Sequence, residues 1–189
     1  MNSITFDIET RKLADEVGGW GALKSGEGGA SAIVLWSTAA NRPFLFDDNT
    51  IPEVIHQLEH TDLVLSFNGV GFDIPILEGL YGRKLRIHHH LDLLQLIWEA
   101  LSDRSGSHKG NSLDAVSART LNKHKTGKGE HAPALAERGQ WGELFNYCLD
   151  DVCLTRELFQ FAQEHGGIIG VDGELLHLDL PPWFKEASI

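Results

Sequence analysis

Apolar residues recur along the chain with two spacings, which predict short strands in its first half and helices throughout. Short apolar runs predict strands over 3–8, 32–36, 43–46, 63–67 and 87–92. Recurrence at helical spacing predicts helices over 51–59, 74–81, 93–101, 112–121, 135–139 and 143–164. The run 63–67 is almost continuously apolar, so this strand is expected to be buried on both faces.

The order of these elements predicts an α/β fold, a mixed sheet flanked by helices. The tail differs, because 167–180 is predicted to form a C-terminal hairpin that turns at Asp172-Gly173. The glycine-rich segment 11–30, which contains Trp20, is predicted to be a loop. It is either a plain surface loop, which is favoured, or a flap over a functional site. No internal repeat or linker divides the chain, so residues 1–189 are expected to form a single domain.

The composition is that of an ordinary globular protein, with 189 residues, 42% hydrophobic and 23% charged. No apolar stretch approaches the roughly 20 residues of a membrane helix, and the N-terminus lacks the features of a signal peptide. Cys148 and Cys153 are five residues apart in a predicted helix, hence on different faces. Two buried thiols are therefore expected rather than a disulfide, which fits a cytoplasmic protein.

The net charge of −11 argues against a long footprint on nucleic acid, because such proteins neutralise phosphates with Lys and Arg. Two bound divalent cations would leave a charge of about −7. Basic residues nevertheless cluster in 83–86, which runs into the histidines at 88–90, and in 104–131, which contains Arg104, Lys109, Arg119, Lys123, Lys125 and Lys128. These clusters are either a basic rim suited to a short single strand or solvated loops, and the two alternatives are equally favoured.

Asp7 and Glu9 are two residues apart at the end of the first predicted strand, so both side chains project to one face. Adjacent carboxylates repel each other and lose hydration if that face is covered. A cation removes both penalties, and carboxylate oxygens suit Mg²⁺ or Mn²⁺. The alternative is that one face of an edge strand is simply exposed to water. Taken alone, the pair favours that alternative.

Asp73 follows the turn 68–71 at the carboxyl end of the buried strand and precedes Ile74-Pro75. Asp before a helix that has Pro in its first turn is typical of an N-cap, which is the favoured interpretation of this residue alone. The carboxyl ends of central strands, however, are where α/β sheets usually place their chemistry. Asn68, at the same strand end, either orients a strand or a phosphate or satisfies its own turn, and the two alternatives are equally favoured.

Asp151 lies four residues after Tyr147, so the two side chains share one face of the longest predicted helix. Asp150 points about 100° away, towards solvent. Lys and Arg are absent from 143–155, so Asp151 is predicted to be unpaired beside a tyrosine on the packing face. A carboxylate on a packing face normally has a basic partner, so its absence favours a functional role for Asp151 over a place in an exposed acidic stripe.

These segments together carry a resemblance. FDIET at 6–10, NGVGFDIPIL at 68–77 and YCLDD at 147–151 resemble the three motifs of the DEDD exonucleases. The spacing of Tyr147 and Asp151 is similar to that of the tyrosine-containing (DEDDy) subgroup of 3′–5′ exonucleases. The second segment is similar to that of the proofreading domains of family B DNA polymerases. The resemblance covers about 4–162 and implies a ribonuclease H-like fold.

The resemblance implies two divalent cations, Mg²⁺ or Mn²⁺, held about 3.5–4 Å apart around the scissile phosphate. Asp7 would bridge both ions, while Glu9 and Asp151 would complete the site for the attacking water. Asp73 would serve the second ion, and Tyr147 would hydrogen-bond the water rather than act as a base. Thr10, Asn68 and Phe72 are the candidate substrate contacts, although Phe72 could equally belong to the core. The product would be nucleoside monophosphates.

The expected substrate is a nucleic-acid 3′ end, with single-stranded DNA favoured over RNA because of the second motif. The alternatives are an exoribonuclease that uses the same site and a catalytically silent nucleic-acid- or protein-binding module. The chain carries no polymerase domain, so we expect a free-standing exonuclease or a subunit that binds a protein partner or a second copy of itself.

Two other groups of potential ligands receive weaker interpretations. Asp92 ends its own predicted strand and is either an auxiliary carboxylate or, more favoured, the N-cap of the next helix. The histidines at 88–90 alternate faces on a strand and cannot all bind one metal ion. The chain has neither an H-E-x-x-H motif nor paired C-x-x-C motifs, so a zinc site is not expected.

Overall fold

The computed structural model describes residues 1–102, 110–127 and 129–189. Three members of the predicted basic cluster, Arg104, Lys109 and Lys128, lie outside these residues. Of the described basic residues in the two clusters, Arg83, Arg119, Lys123 and Lys125 make contacts within the fold.

A five-stranded mixed sheet forms the centre of the fold, in the order β3-β2-β1-β4-β5. Its strands are β1 (Ser3–Thr10), β2 (Ala30–Ser37), β3 (Arg42–Phe46), β4 (Leu63–Ser66) and β5 (His90–Asp92). Strands β1, β2 and β3 pair antiparallel, whereas β1, β4 and β5 pair parallel. The α/β fold predicted from the element order is therefore confirmed. Because β1 is the central strand, the alternative that Asp7 and Glu9 lie on a wet edge strand is wrong.

Helices flank the sheet, and each predicted helix is present within a few residues of its expected bounds. They are α2 (Ile51–His60), α3 (Asp73–Tyr81), α4 (Leu93–Ala100), α5 (Leu113–Leu121), α6 (Ala132–Glu137) and α7 (Trp141–His165), preceded by a short α1 (Trp20–Ala22). In the described ranges, no helix is both long and apolar enough to cross a membrane. The predicted strand 87–92 is shorter than expected, since only its last three residues pair with β4.

The sheet is covered on both faces, which the alternation of side chains along its strands explains. On one face, Phe6 and Ile8 of β1 pack with residues of α2. In β4, Val64 joins this cluster, whereas Leu63 and Leu65 face the opposite core together with Phe159 of α7. The prediction that this strand is buried on both faces is confirmed.

The glycine-rich segment is not the plain loop that its composition predicts. It contains a 3₁₀ turn (Ala14–Val17), α1 and a π-helical turn (Leu23–Glu27). The last turn packs directly on α3: a Cβ on Gly79 would lie 2.3 Å from the carbonyl carbon of Ser25, and one on Gly26 would lie 2.8 Å from the nitrogen of Leu80. Two glycines thus permit a backbone-to-backbone contact that periodicity alone does not reveal.

The C-terminal hairpin is confirmed, with β6 (Gly167–Ile169) and β7 (Leu175–His177) pairing antiparallel. Gly173 in its turn adopts a φ of 85°. A 3₁₀ turn that the sequence pattern did not predict, Pro182–Glu186, follows and buries Phe184 against Phe159.

Both cysteines are free thiols, as predicted. Cys148 is buried on the inner face of α7, but Cys153 is only half-buried. The expectation that both would be buried is therefore wrong for Cys153, because its side of the helix is partly open to solvent.

Several basic residues are engaged within the fold instead of lining an open rim. Arg83 makes two hydrogen bonds to the carboxylate of Glu59, at 2.6 and 2.9 Å. Lys123 pairs with Glu157 at 2.6 Å, and Arg119 donates to backbone carbonyls. For these described residues the basic-rim hypothesis is not supported, because their charges are already compensated or used to hold the chain together.

Candidate active site

The carboxyl ends of the three parallel strands meet at one edge of the sheet, where the candidate residues collect. Asp7 and Glu9 lie near the end of β1, and Asp73 begins the helix that follows β4. Asp92 ends β5 beside them in the same sheet. Parallel strands place their carboxyl ends on the same side, which is why residues so distant in sequence share this edge.

The pairing of β1 with β2 turns Asp7 and Glu9 towards α7. Asp7 pairs with Val34 and Glu9 with Ala32. Val34 and Ala32 pack in a cluster with inward-facing residues of α7, among them Cys148. Directly paired residues of antiparallel strands project to the same face, so both carboxylates lie beneath this helix. The Cys148 thiol lies 3.5 Å from the Asp7 carboxylate, consistent with this placement.

Asp151 of α7 completes a cluster of three carboxylates. Asp7, Glu9 and Asp151 each offer an oxygen atom, and these atoms lie within 4.8 Å of one another. Glu9 and Asp151 are buried, while Asp7 is partly exposed. Three carboxylates this close repel one another strongly unless a cation or protons compensate them. Oxygen ligands at this spacing match the preference of hard divalent cations.

Asp73 is buried beside this cluster but does not belong to the group of converging oxygen atoms. The N-cap of α3 is Phe72, and Asp73 is the first helical residue, so the N-cap interpretation of Asp73 is wrong. Its carboxylate instead accepts a hydrogen bond from the Ile8 amide at 3.0 Å. This bond ties the start of α3 to the segment of β1 between Asp7 and Glu9.

Burial and mutual repulsion disturb the protonation of the whole cluster. Burial, together with the negative charge of Asp151, raises the pKa of Asp7 from 3.8 to about 7. The pKa values of Glu9 and Asp73 rise well above their ordinary values, first from burial and then from repulsion by Asp7. Such shifts are typical of sites built to bind a cation or to move a proton.

Lys125 is the functional candidate that sequence reasoning did not single out. Its ammonium lies 2.5 Å from Asp151 Oδ2 and 5.1 Å from the ring centroid of Tyr147. The prediction that Asp151 is unpaired is therefore wrong, because its partner comes from the segment before α6. Burial alone would lower the pKa of Lys125, but attraction to Asp151 outweighs it and raises that pKa. No local signal marks this lysine, since it belongs to neither helix nor strand.

Tyr147 lies beside the carboxylates, one helical turn before Asp151, as its spacing predicts. Burial and the charges of Glu9 and Asp151 raise the pKa of Tyr147 above its ordinary value of 10, so its hydroxyl stays protonated at neutral pH. Within the described part of the chain, neither this hydroxyl nor Asp151 Oδ1 has a hydrogen-bond partner, although both are buried. Buried polar atoms are rarely left unpaired. A metal ion with its bound water would satisfy both, so these residues fit such a group.

Asp92 acts as the N-cap of α4, as favoured, and also holds the turn after β4. Its carboxylate accepts hydrogen bonds from Leu94 and Gln95 at the start of the helix. The same carboxylate accepts bonds from the amides of Asn68, at 2.9 Å, and Val70, at 2.8 Å. One buried acid therefore fixes the turn that leads into Asp73.

The three candidate substrate contacts surround this turn and the end of β1. The Thr10 side chain is buried, and its hydroxyl donates to the Lys12 carbonyl at 2.8 Å. Asn68 adopts a φ of 64°, and its carbonyl accepts from the two amides that close its own turn. Phe72 is half-buried, with its ring edge-on to Trp20 at 6.2 Å between centroids. Of the three, Phe72 is the aromatic residue, and its half-buried ring leaves part of its surface open to a ligand.

The five-stranded mixed sheet, with α7 crossing its acidic edge, defines a ribonuclease H-like fold. The family comparison agrees: the RNase_H_2 family model, described as RNase_H superfamily, matches residues 4–163, so the chain belongs to this family. Membership in this family suggests nuclease activity and a nucleic-acid substrate. No curated protein has significant sequence similarity to the chain.

A solved structure with a similar fold is the family B DNA polymerase from the hyperthermophilic archaeon Pyrobaculum calidifontis. The TM-score is 0.61 at 17% sequence identity. The alignment covers 86% of this chain but only 25% of the polymerase chain. At this identity the likeness concerns the fold alone.

Proposed function

We propose that this protein is a two-metal-dependent 3′–5′ exonuclease that releases nucleoside monophosphates from the 3′ ends of single-stranded DNA. The observation that carries the proposal is the convergence of Asp7, Glu9 and Asp151 from β1 and α7, with oxygen atoms within 4.8 Å of one another. The Tyr147 hydroxyl beside them, which completes no hydrogen bond to the described residues, adds a donor suited to a water molecule or a phosphate. Residues 1–189 would act together as one exonuclease domain.

Asp7, Glu9 and Asp151 would hold divalent cations, Mg²⁺ or Mn²⁺. Asp73 would complete the second metal position from the start of α3, where its carboxylate accepts a hydrogen bond from the Ile8 amide. When bound, such ions acidify a coordinated water and neutralise charge on the phosphate. Burial and mutual repulsion raise the pKa values of Asp7 and Glu9, because protons then neutralise part of their negative charge. Divalent cations would neutralise the same charge.

Tyr147 would orient the attacking water through its hydroxyl. Its raised pKa keeps the hydroxyl protonated, so the side chain donates a hydrogen bond and is unsuited to act as a general base. Lys125 would balance the charge of Asp151, whose Oδ2 its ammonium contacts. Both side chains interact with the carboxylates of the cluster: Lys125 with Asp151, and Tyr147 with Glu9 and Asp151.

A catalytically silent binding module is a second candidate, favoured by one observation. Lys125 already supplies a cation to Asp151, at 2.5 Å. A protein that had exchanged metal binding for an internal ion pair would contain such a contact. In that case Mn²⁺ would neither bind tightly nor compete with the lysine. Calorimetric titration with Mn²⁺ separates this candidate from the exonuclease.

The decisive experiment is a time course on 5′-labelled single-stranded DNA and RNA of matched sequence, with Mn²⁺, Mg²⁺ or EDTA. We expect a metal-dependent ladder that shortens from the 3′ end, with DNA cleaved faster than RNA. Asp151→Asn should abolish it, while Glu53→Gln, on the exposed side of α2, should not. If RNA were cleaved faster than DNA, the proposed substrate would be RNA instead of single-stranded DNA. No cleavage from folded protein that binds Mn²⁺ would refute the exonuclease.

A further inference from the structure

Trp20 is the most exposed tryptophan in the described residues, with 64% of its surface open to solvent. Its ring meets the half-buried ring of Phe72 edge-on, at 72° between planes and 6.2 Å between centroids. Exposing so large an apolar surface is unfavourable, and aromatic pairs beside a nucleic-acid site commonly serve as stacking surfaces. The pair therefore calls for a ligand that has a flat apolar face.

The fold holds this pair close to the carboxylate cluster. Phe72 directly precedes Asp73, whose carboxylate binds the Ile8 amide between Asp7 and Glu9. An aromatic ring at position 72 is therefore only one residue from the acidic edge of the sheet.

Trp20 is positioned by the same helix, α3. The π-helical turn that follows α1 contacts the far end of α3, where the backbones of Ser25 and Gly79 approach too closely for any side chain on the glycine. Leu23, between Trp20 and this contact, is buried. One rigid helix thus locates both aromatic rings relative to the carboxylates.

We propose that Trp20 and Phe72 form the stacking site for a base at the 3′ end of a single-stranded nucleic acid. The inference rests on the proposed function and identifies which surface takes the strand. The chain carries a net charge of −11, and basic residues such as Arg83 and Lys123 are paired with acids. Stacking supplies affinity that does not depend on basic residues, and it suits single strands, whose bases are free to leave a duplex stack.

The test compares Trp20→Ala with Trp20→Phe and with Trp141→Ala, a second partly exposed tryptophan. Loss of one stacked base should lower kcat/KM on single-stranded DNA by about 5- to 150-fold for Trp20→Ala. Trp20→Phe should retain most of the activity, and Trp141→Ala should stay close to wild type. Equal losses in the two alanine variants would overturn the proposal.

A substrate with abasic residues at its last two 3′ positions distinguishes stacking from structural damage. Wild type and Trp20→Ala should cleave this substrate at the same rate, because it has no base to stack. A loss that persists on the abasic substrate would overturn the stacking site.

Binding measured without cleavage separates this inference from the exonuclease itself. The anisotropy of a labelled oligonucleotide reports binding to Asp7→Asn and to the double variant that adds Trp20→Ala. If the double variant binds the oligonucleotide more weakly than Asp7→Asn and the wild-type protein does not cleave it, stacking is supported and the exonuclease is refuted. Cleavage that is unaffected by Trp20→Ala would do the reverse.

Discussion

Replacing Asp7 with Asn removes a carboxylate that the fold forces to hold a proton near neutral pH. In the metal-free protein, burial and the charge of Asp151 raise the pKa of Asp7 from 3.8 to about 7. At pH values between 3.8 and about 7, Asp7 is mostly protonated in the folded protein but mostly ionised in the unfolded chain. The free energy of unfolding must therefore fall as pH rises through this window.

The magnitude follows from the width of the window. A rise from 3.8 to about 7 corresponds to a loss of at most about 4 kcal/mol between pH 4 and pH 8 from Asp7 alone. Glu9 and Asp73 shift in the same direction and steepen the dependence. Asn cannot ionise, so Asp7→Asn should match wild type near pH 4 and exceed its stability by up to this amount at pH 8.

Urea unfolding in EDTA at pH values from 4 to 8 measures this difference directly. Glu53→Gln removes an exposed carboxylate of α2 and serves as the control, for which wild-type behaviour is expected. Saturating Mn²⁺ should restore stability to the wild type at pH 8, because it binds the folded state, and should help Asp7→Asn far less. Wild-type and Asp7→Asn curves that run parallel from pH 4 to pH 8 would refute the electrostatic reasoning.

Three other substitutions test separate parts of the site and its support. Tyr147→Phe should lower kcat by roughly 3- to 10-fold, because it removes one hydrogen bond and no metal ligand; a loss as complete as that of Asp151→Asn would contradict this role. Lys125→Met should lower the free energy of unfolding by about 1–3 kcal/mol in EDTA. The loss should be smaller in Mn²⁺, because the metal ion then takes the place of the ammonium beside Asp151. Equal losses in both conditions would contradict competition between Lys125 and Mn²⁺ for Asp151. Gly79→Ala should cost about 1–3 kcal/mol in thermal unfolding, because its Cβ would meet Ser25, whereas Gly142→Ala has open space and should be neutral or stabilising.

Much of the fold could be predicted from local pattern. The central strands, the hairpin and the long helix follow from hydrophobic period and turn residues, which act over a few positions. The same local geometry predicts that Asp7 and Glu9 share a face and that Tyr147 and Asp151 share another. The glycine-rich segment was mispredicted, because Gly79 lies more than fifty residues from Ser25 and only tertiary packing reveals why both backbones need the space.

Tertiary structure alone decided how the pieces of the candidate site meet. The pairing of β1 with β2 directs two carboxylates beneath α7, and the folding of the chain before α6 brings Lys125 to Asp151. The sequence by itself determined which side chains carry charge or an aromatic ring and which face of their element they occupy. Distances between elements arise from packing over the whole chain. Local sequence patterns therefore could not predict the Lys125–Asp151 ion pair, the Asp73–Ile8 hydrogen bond or the Trp20–Phe72 ring contact.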